Sequence, residues 1–87
     1  MSRQKPIRIS GHAREMMPRR GASESEIANS IRSCEWQPAE SGRLECKKNF
    51  PFGQTWNGKV YGTKQVRPIF VNETDEIVVI TVYVYFF

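Results

Sequence analysis

The sequence predicts an α+β fold, two N-terminal helices packed on one face of a four-stranded antiparallel sheet, in a single domain over residues 1–87. Three observations predict it. Apolar residues recur at helical spacing, between cap signals, in residues 10–35. From residue 43 the alphabet changes to β-branched and aromatic residues, and no repeat or long linker interrupts the chain. Two turn signals, Asn57-Gly58 and the stretch NETDE, divide that second part into hairpins.

Ser10 can cap a first helix beginning at Gly11, with Ala13, Met16 and Met17 inward. Pro18 removes one helical hydrogen bond, so a kink or stop is expected there, before Gly21 ends the helix. Ser23 followed by Glu26 is a capping box for a second helix over about Glu24 to Glu35, with Ile27, Ala28, Ile31 and Cys34 inward. The expected strands are RLECKKNF, GKVYGTK, QVRPIFV and EIVVITVYVYF, with Pro68 marking a bulge or an unpaired amide in the third. Strict alternation in the last strand puts Val78, Ile80, Val82, Val84 and Phe86 in the core. Ile77, Val79, Thr81, Tyr83 and Tyr85 then lie on a face the helices leave open, which is the expected site.

Thirteen Lys and Arg against nine Asp and Glu give a net charge of +4, with the cations in blocks. Residues 1–20 carry Arg3, Lys5, Arg8, Arg14, Arg19 and Arg20 against Glu15 alone, and residues 46–67 carry five cations and no acid. Such blocks can converge on one face that suits a phosphate-bearing partner, although the same charges also serve plain solubility. Cys34 and Cys46 make no disulfide framework. The basic N-terminus leads into no apolar segment of signal-peptide length, and IVVITVYVYFF is too short for a membrane helix. A cytoplasmic, reduced protein without membrane contact is therefore expected.

His12, the one histidine, falls about a quarter-turn from the centre of the first helix's inward stripe. Position alone favours a packing or capping role, while a partly desolvated histidine at a cleft could also transfer protons near neutrality. One histidine and two separated cysteines do not make a zinc site, and the chain has no P-loop, dinucleotide fingerprint or nucleophile elbow. No metal or cofactor is expected. Metal-free RNA cleavage fits this inventory: a base takes the 2′-hydroxyl proton, cations stabilise the phosphorane, and an acid protonates the leaving oxygen.

In that reading His12 transfers protons and Arg67 is the favoured cation, because a register pairing Val71 with Ile77 places it opposite Thr81 on the open face. Lys47 and Lys48 point to opposite sides of the first strand, so one of them joins the site. Tyr83 stacks on a base or bonds a phosphate, and Trp56 is either a stacking group or a lid on the core.

HAREMMPRRGASESEI together with EIVVITVYVY resembles the small proteins grouped as domain of unknown function 4258. That family is similar to the RelE-like toxins, within the nuclease fold shared with barnase, EndoU and the colicin ribonucleases. The resemblance covers about residues 9–85 and implies a RelE-like fold and a toxin-like ribonuclease. It maps His12, Arg20, Thr81 and Tyr83 onto the family pattern, while Pro18 and the tail Tyr85-Phe86-Phe87 depart from it. Catalysis is thus expected from His12, Arg67 and Tyr83, and substrate binding from Arg20, Lys47 and Thr81. RNA, an antitoxin-like protein and a second copy of the chain are the expected partners. The rival expectation is a non-catalytic binding or dimerisation module of the same fold.

Overall fold

The computed structural model describes residues 5–87, so Arg3 of the N-terminal basic block lies outside the described residues. The elements are β1 (Ile7–Ile9), α1 (Gly11–Arg20), α2 (Glu24–Ser33), β2 (Gln37–Pro38), a 3-10 turn (Glu40–Gly42), β3 (Leu44–Glu45), β4 (Lys48–Trp56), β5 (Lys59–Asn72) and β6 (Ile77–Phe86). The α+β class holds, but the four-stranded antiparallel sheet does not. Among the described residues the sheet has six strands in the order β1-β6-β5-β3-β2, with β4 also pairing with β5, and β1 runs parallel to β6.

Both helices carry the expected caps. Ser10 Oγ accepts from the Ala13 amide at 3.2 Å, and Gly21, at φ 82°, closes α1 by donating its amide to Met17. The helix runs through Pro18 to Arg20, because only the one bond that Pro18 cannot donate is lost so near the end. In α2 the capping box is complete, with Glu26 accepting from the Ser23 amide at 3.0 Å and Ser23 from the Glu26 amide at 3.2 Å. Ala13, Ile27 and Ile31 are fully buried against Val66, Phe70, Ile77, Val79 and Val82.

Two proline and bulge effects redraw the expected strands. GKVYGTK and QVRPIFV form one continuous strand, β5, while RLECKKNF is split into β3 and the start of β4. The split has a cause in the register. Leu44 and Glu45 pair with Phe70 and Ile69, and Lys48 resumes in the same frame opposite Val66, so the gap at Cys46 and Lys47 faces Pro68 and Arg67. Pro68 has no amide to donate, and the ladder breaks there. The short strands β1 and β2 were not foreseen because three or two residues carry no readable alternation.

In β6 the expected alternation fails at one residue. Near the loop Asn72 pairs with Ile77 and Phe70 with Val79, but Ile69 pairs with Thr81, leaving Ile80 as the extra residue of a bulge. Ile77 and Val79 therefore face the helices, contrary to the alternation, and beyond the bulge Val82 faces them as expected. Arg67 stands opposite Tyr83 rather than Thr81. Without the bulge Arg67 would pair with Val82, and Tyr83 and Tyr85 would turn toward the helices. The bulge is what keeps the arginine and the tyrosines on the same open face.

The far end of the sheet has its own small core. Phe86 stacks on Trp56 with centroids 4.9 Å apart and meets Phe52 and Tyr61, so Trp56 packs rather than lines the open face. A methyl group on Gly21 would come within 3.0 Å of Trp56 and 3.2 Å of Phe86, at a φ that side chains rarely adopt. Gly21→Ala is expected to lose about 2–4 kcal/mol from backbone strain and overpacking together, read as a lower urea midpoint by circular dichroism.

Candidate functional site

On the face of the sheet away from the helices, β2 and the 3-10 turn lie next to β3, which separates them from β5 and β6. A cavity of about 560 Å³ is lined there by Pro38, Glu40, Arg43, Arg67, Thr81 and Tyr83, among others. A second, of about 390 Å³, continues along the face over Lys47, Gln65 and Tyr85. Glu45 and Arg67 line both, so the two form one groove with this pair at its centre. A third cavity of about 220 Å³, lined by Cys34, Cys46, Glu35 and Lys47, also reaches Glu45.

Period-2 alternation puts Arg43, Glu45 and Lys47 on the groove side of the chain while Cys46 is buried with the core. Lys48, the other half of the lysine pair, turns to the helices, where its ammonium bonds Asn29 Oδ1 and donates to Ser33 Oγ at 3.1 Å. Lys47 is therefore the lysine that joins the groove. Neither Arg43 nor Lys47 has a side-chain partner among the described residues.

Arg67 is held on two sides. Its Nε and Nη2 donate to Glu45 Oε1 at 3.1 and 2.5 Å, and its Nη1 donates to the Tyr85 hydroxyl at 3.2 Å. These bonds, that to Glu45 first, hold the guanidinium above its ordinary pKa. Arg67 thus stays cationic wherever the protein is folded. Both Glu45 bonds fall on one oxygen, and Oε2 has no partner among the described residues. Among the described residues no buried side-chain oxygen or nitrogen is left unsatisfied, so Oε2 is open to solvent.

Arg20 reaches the same face around the edge of β6. Its Nη1 donates to the Val82 carbonyl at 2.9 Å, and its guanidinium lies 4.7 Å from the centre of the Tyr83 ring. Arg67 lies 5.7 Å from that ring, so two cations flank one exposed tyrosine. Arg20 is both a structural clamp on β6 and a charge beside the groove.

The structure therefore brings together Arg20, Lys47, Arg67, Thr81 and Tyr83. His12 is exposed on the first turn of α1 and lines none of the three cavities. Sequence reasoning missed Glu45, Arg43 and Tyr85's bond to Arg67. The signal for the first two was present in the alternation Arg43, Leu44, Glu45, Cys46, Lys47, whose charged members share one side. Among the described residues no group of three or more His, Cys, Asp or Glu could hold a metal ion, and no helix is long and apolar enough to cross a membrane. Comparison with protein-family models, with curated proteins and with solved structures found no significant match to this chain.

Proposed function

We propose that the groove binds RNA and that the protein is a metal-independent ribonuclease of the toxin-like type, with Glu45 as the proton acceptor. The observation that carries this is the Glu45–Arg67 pair: the side chain lines the groove, one carboxylate oxygen is fixed by a guanidinium, and the other has no partner among the described residues. Glu45 Oε2 takes the proton of a ribose 2′-hydroxyl, whose oxygen attacks the adjacent phosphorus. The bond from phosphorus to the 5′-oxygen breaks, leaving a 2′,3′-cyclic phosphate. The departing oxygen takes a proton from the Tyr83 hydroxyl, and solvent then carries the proton held by Glu45 away and restores the one that Tyr83 gave up. Arg67 stabilises the charge on the phosphorane, and Arg20, Arg43 and Lys47 hold neighbouring phosphates. Thr81, on the groove floor, donates a hydrogen bond to the substrate.

A toxin-like enzyme implies an antitoxin-like protein that covers this groove, which supports co-expression as a route to soluble material. The test is cleavage of varied RNAs by chelator-treated wild type and His12→Ala, each checked for folding by circular dichroism. Cleavage by both is expected, since His12 lines no part of the groove. Loss in a folded His12→Ala would return proton transfer to His12. No cleavage by wild type would leave the open face as a non-catalytic binding surface, with the strongly exposed Val60 and Phe87 as the place for a second copy of the chain.

A further inference from the structure

We infer that the ligand of this groove is single-stranded RNA with its bases splayed apart, two of them stacking at Tyr83 and Tyr85, and that duplex RNA is excluded. This deepens the RNA-binding reading above and rests on it.

Tyr83 and Tyr85 are 39% and 44% exposed, on the same face of one strand and two residues apart. Two residues of a strand span about 6.6 Å. Stacked bases in a duplex rise only about 3.4 Å per step, so consecutive bases can meet both positions only if they are pulled apart. A single strand can do this, and sequence-tolerant binding of single strands characteristically combines aromatic platforms with a basic track.

Both platforms are held in place before any ligand arrives. Tyr85 is fixed by the 3.2 Å bond from Arg67, and Tyr83 by the guanidinium groups of Arg20 and Arg67 beside its ring. Ordering them in the free protein reduces the entropy lost on binding. The guanidinium planes at Tyr83 are themselves stacking surfaces for a base and carry charge for its phosphate.

The charge of the groove fits a polyanion. Arg43, Lys47 and Arg67 line it against Glu40 and Glu45, and Arg20 adds a further cation at its edge. Its shape fits one strand: the two joined cavities, about 560 and 390 Å³, are of small-ligand size, and the first is bounded on one side by Pro38 of β2 and Glu40 of the 3-10 turn. A duplex keeps the faces of its bases stacked on one another, so a tyrosine ring cannot stack on them.

The experiment measures binding of 2′-O-methyl RNA, which has no 2′-hydroxyl to react, by fluorescence anisotropy. One short sequence is offered as a single strand and as a duplex to wild type, Tyr83→Ala, Tyr85→Ala and Tyr85→Phe. The expected result is a single strand bound at least about 10-fold tighter than the duplex, and a loss of about 5- to 100-fold for each alanine variant. Tyr85→Phe should retain most of the affinity, since the ring remains. Equal binding of duplex and single strand, or alanine variants that bind like wild type, would overturn the inference while leaving RNA binding intact. Failure of both RNA forms to bind would overturn the inference and the reading beneath it. Tight single-strand binding without cleavage of unmodified RNA would support the inference and overturn only the ribonuclease assignment.

Discussion

Glu45→Gln is expected to slow RNA cleavage by at least about 100-fold while leaving RNA binding unchanged or tighter. Glutamine has the shape of glutamate and keeps a carbonyl oxygen for the bonds that Arg67 Nε and Nη2 now donate to Oε1. The guanidinium and its bond to Tyr85 therefore stay in place, and what disappears is the basic oxygen open to the groove. If phosphates bind here as proposed, removing the carboxylate also removes repulsion toward them. Arg67→Lys makes the complementary test. It keeps the positive charge but loses the planar fork that meets Glu45 and Tyr85 together, and a loss of about 10- to 100-fold in rate is expected. Single-turnover rates, with circular dichroism to check folding, separate these effects from instability. Wild-type cleavage by Glu45→Gln would remove Glu45 from the chemistry.

What the sequence made legible depends on how local the deciding interaction is. The caps of both helices are settled within four residues, so Ser10, Gly21 and the Ser23–Glu26 box could be read in advance. The Asn57-Gly58 turn is equally local: both residues sit at positive φ, and Trp56 pairs with Lys59 across it. The rest is set by partners distant in the chain. Pro68 was recognised as an obstacle, but the interruption it causes appears in the neighbouring strand, between Glu45 and Lys48. β1 owes its existence to β6, some seventy residues later, through the parallel register of Ile7 with Ile77.

The open face shows how two errors of register can leave a site in place. The loop end of the β5–β6 hairpin is one residue out of the expected frame, which alone would turn Tyr83 and Tyr85 away from Arg67. The bulge at Ile80 shifts the frame by one more and restores them. Period-2 reasoning therefore put Arg67, Thr81 and Tyr83 on the face where they lie and misplaced Ile77, Val78 and Val79. Nothing in IVVIT marks Ile80 as the extra residue, because every side chain around it suits either face. His12 illustrates the opposite limit, since its place on α1 was clear but the edge of α1 that meets the groove was not. Arg20, from the last turn of the same helix, is the residue that reaches across.

Phe70→Ala is expected to leave the protein largely unfolded at 37 °C. Phe70 is fully buried at the centre of the sheet, between Leu44 of β3 and Val79 of β6, and the Trp36 ring meets it edge-on at 5.0 Å. Truncating such a ring typically costs about 3–5 kcal/mol, and the edge contact contributes about 0.5–1.5 kcal/mol of the loss. A domain of this size buries a modest fraction of its surface and has a total stability near the lower end of about 5–15 kcal/mol, so a single vacancy of this size consumes most of it. The cavity cannot collapse readily, since β3 is pinned between β5 and β2 and Trp36 is tied to α2 by its indole bond to the Ile31 carbonyl at 2.7 Å. The same vacancy undermines the groove, because β3 carries Glu45. Phe70→Leu, which fills much of the space, should lose markedly less, and urea denaturation of the two variants beside wild type makes the comparison. Equal losses in both would mean that the Trp36 contact, rather than the filled volume, anchors β3 and the carboxylate it presents.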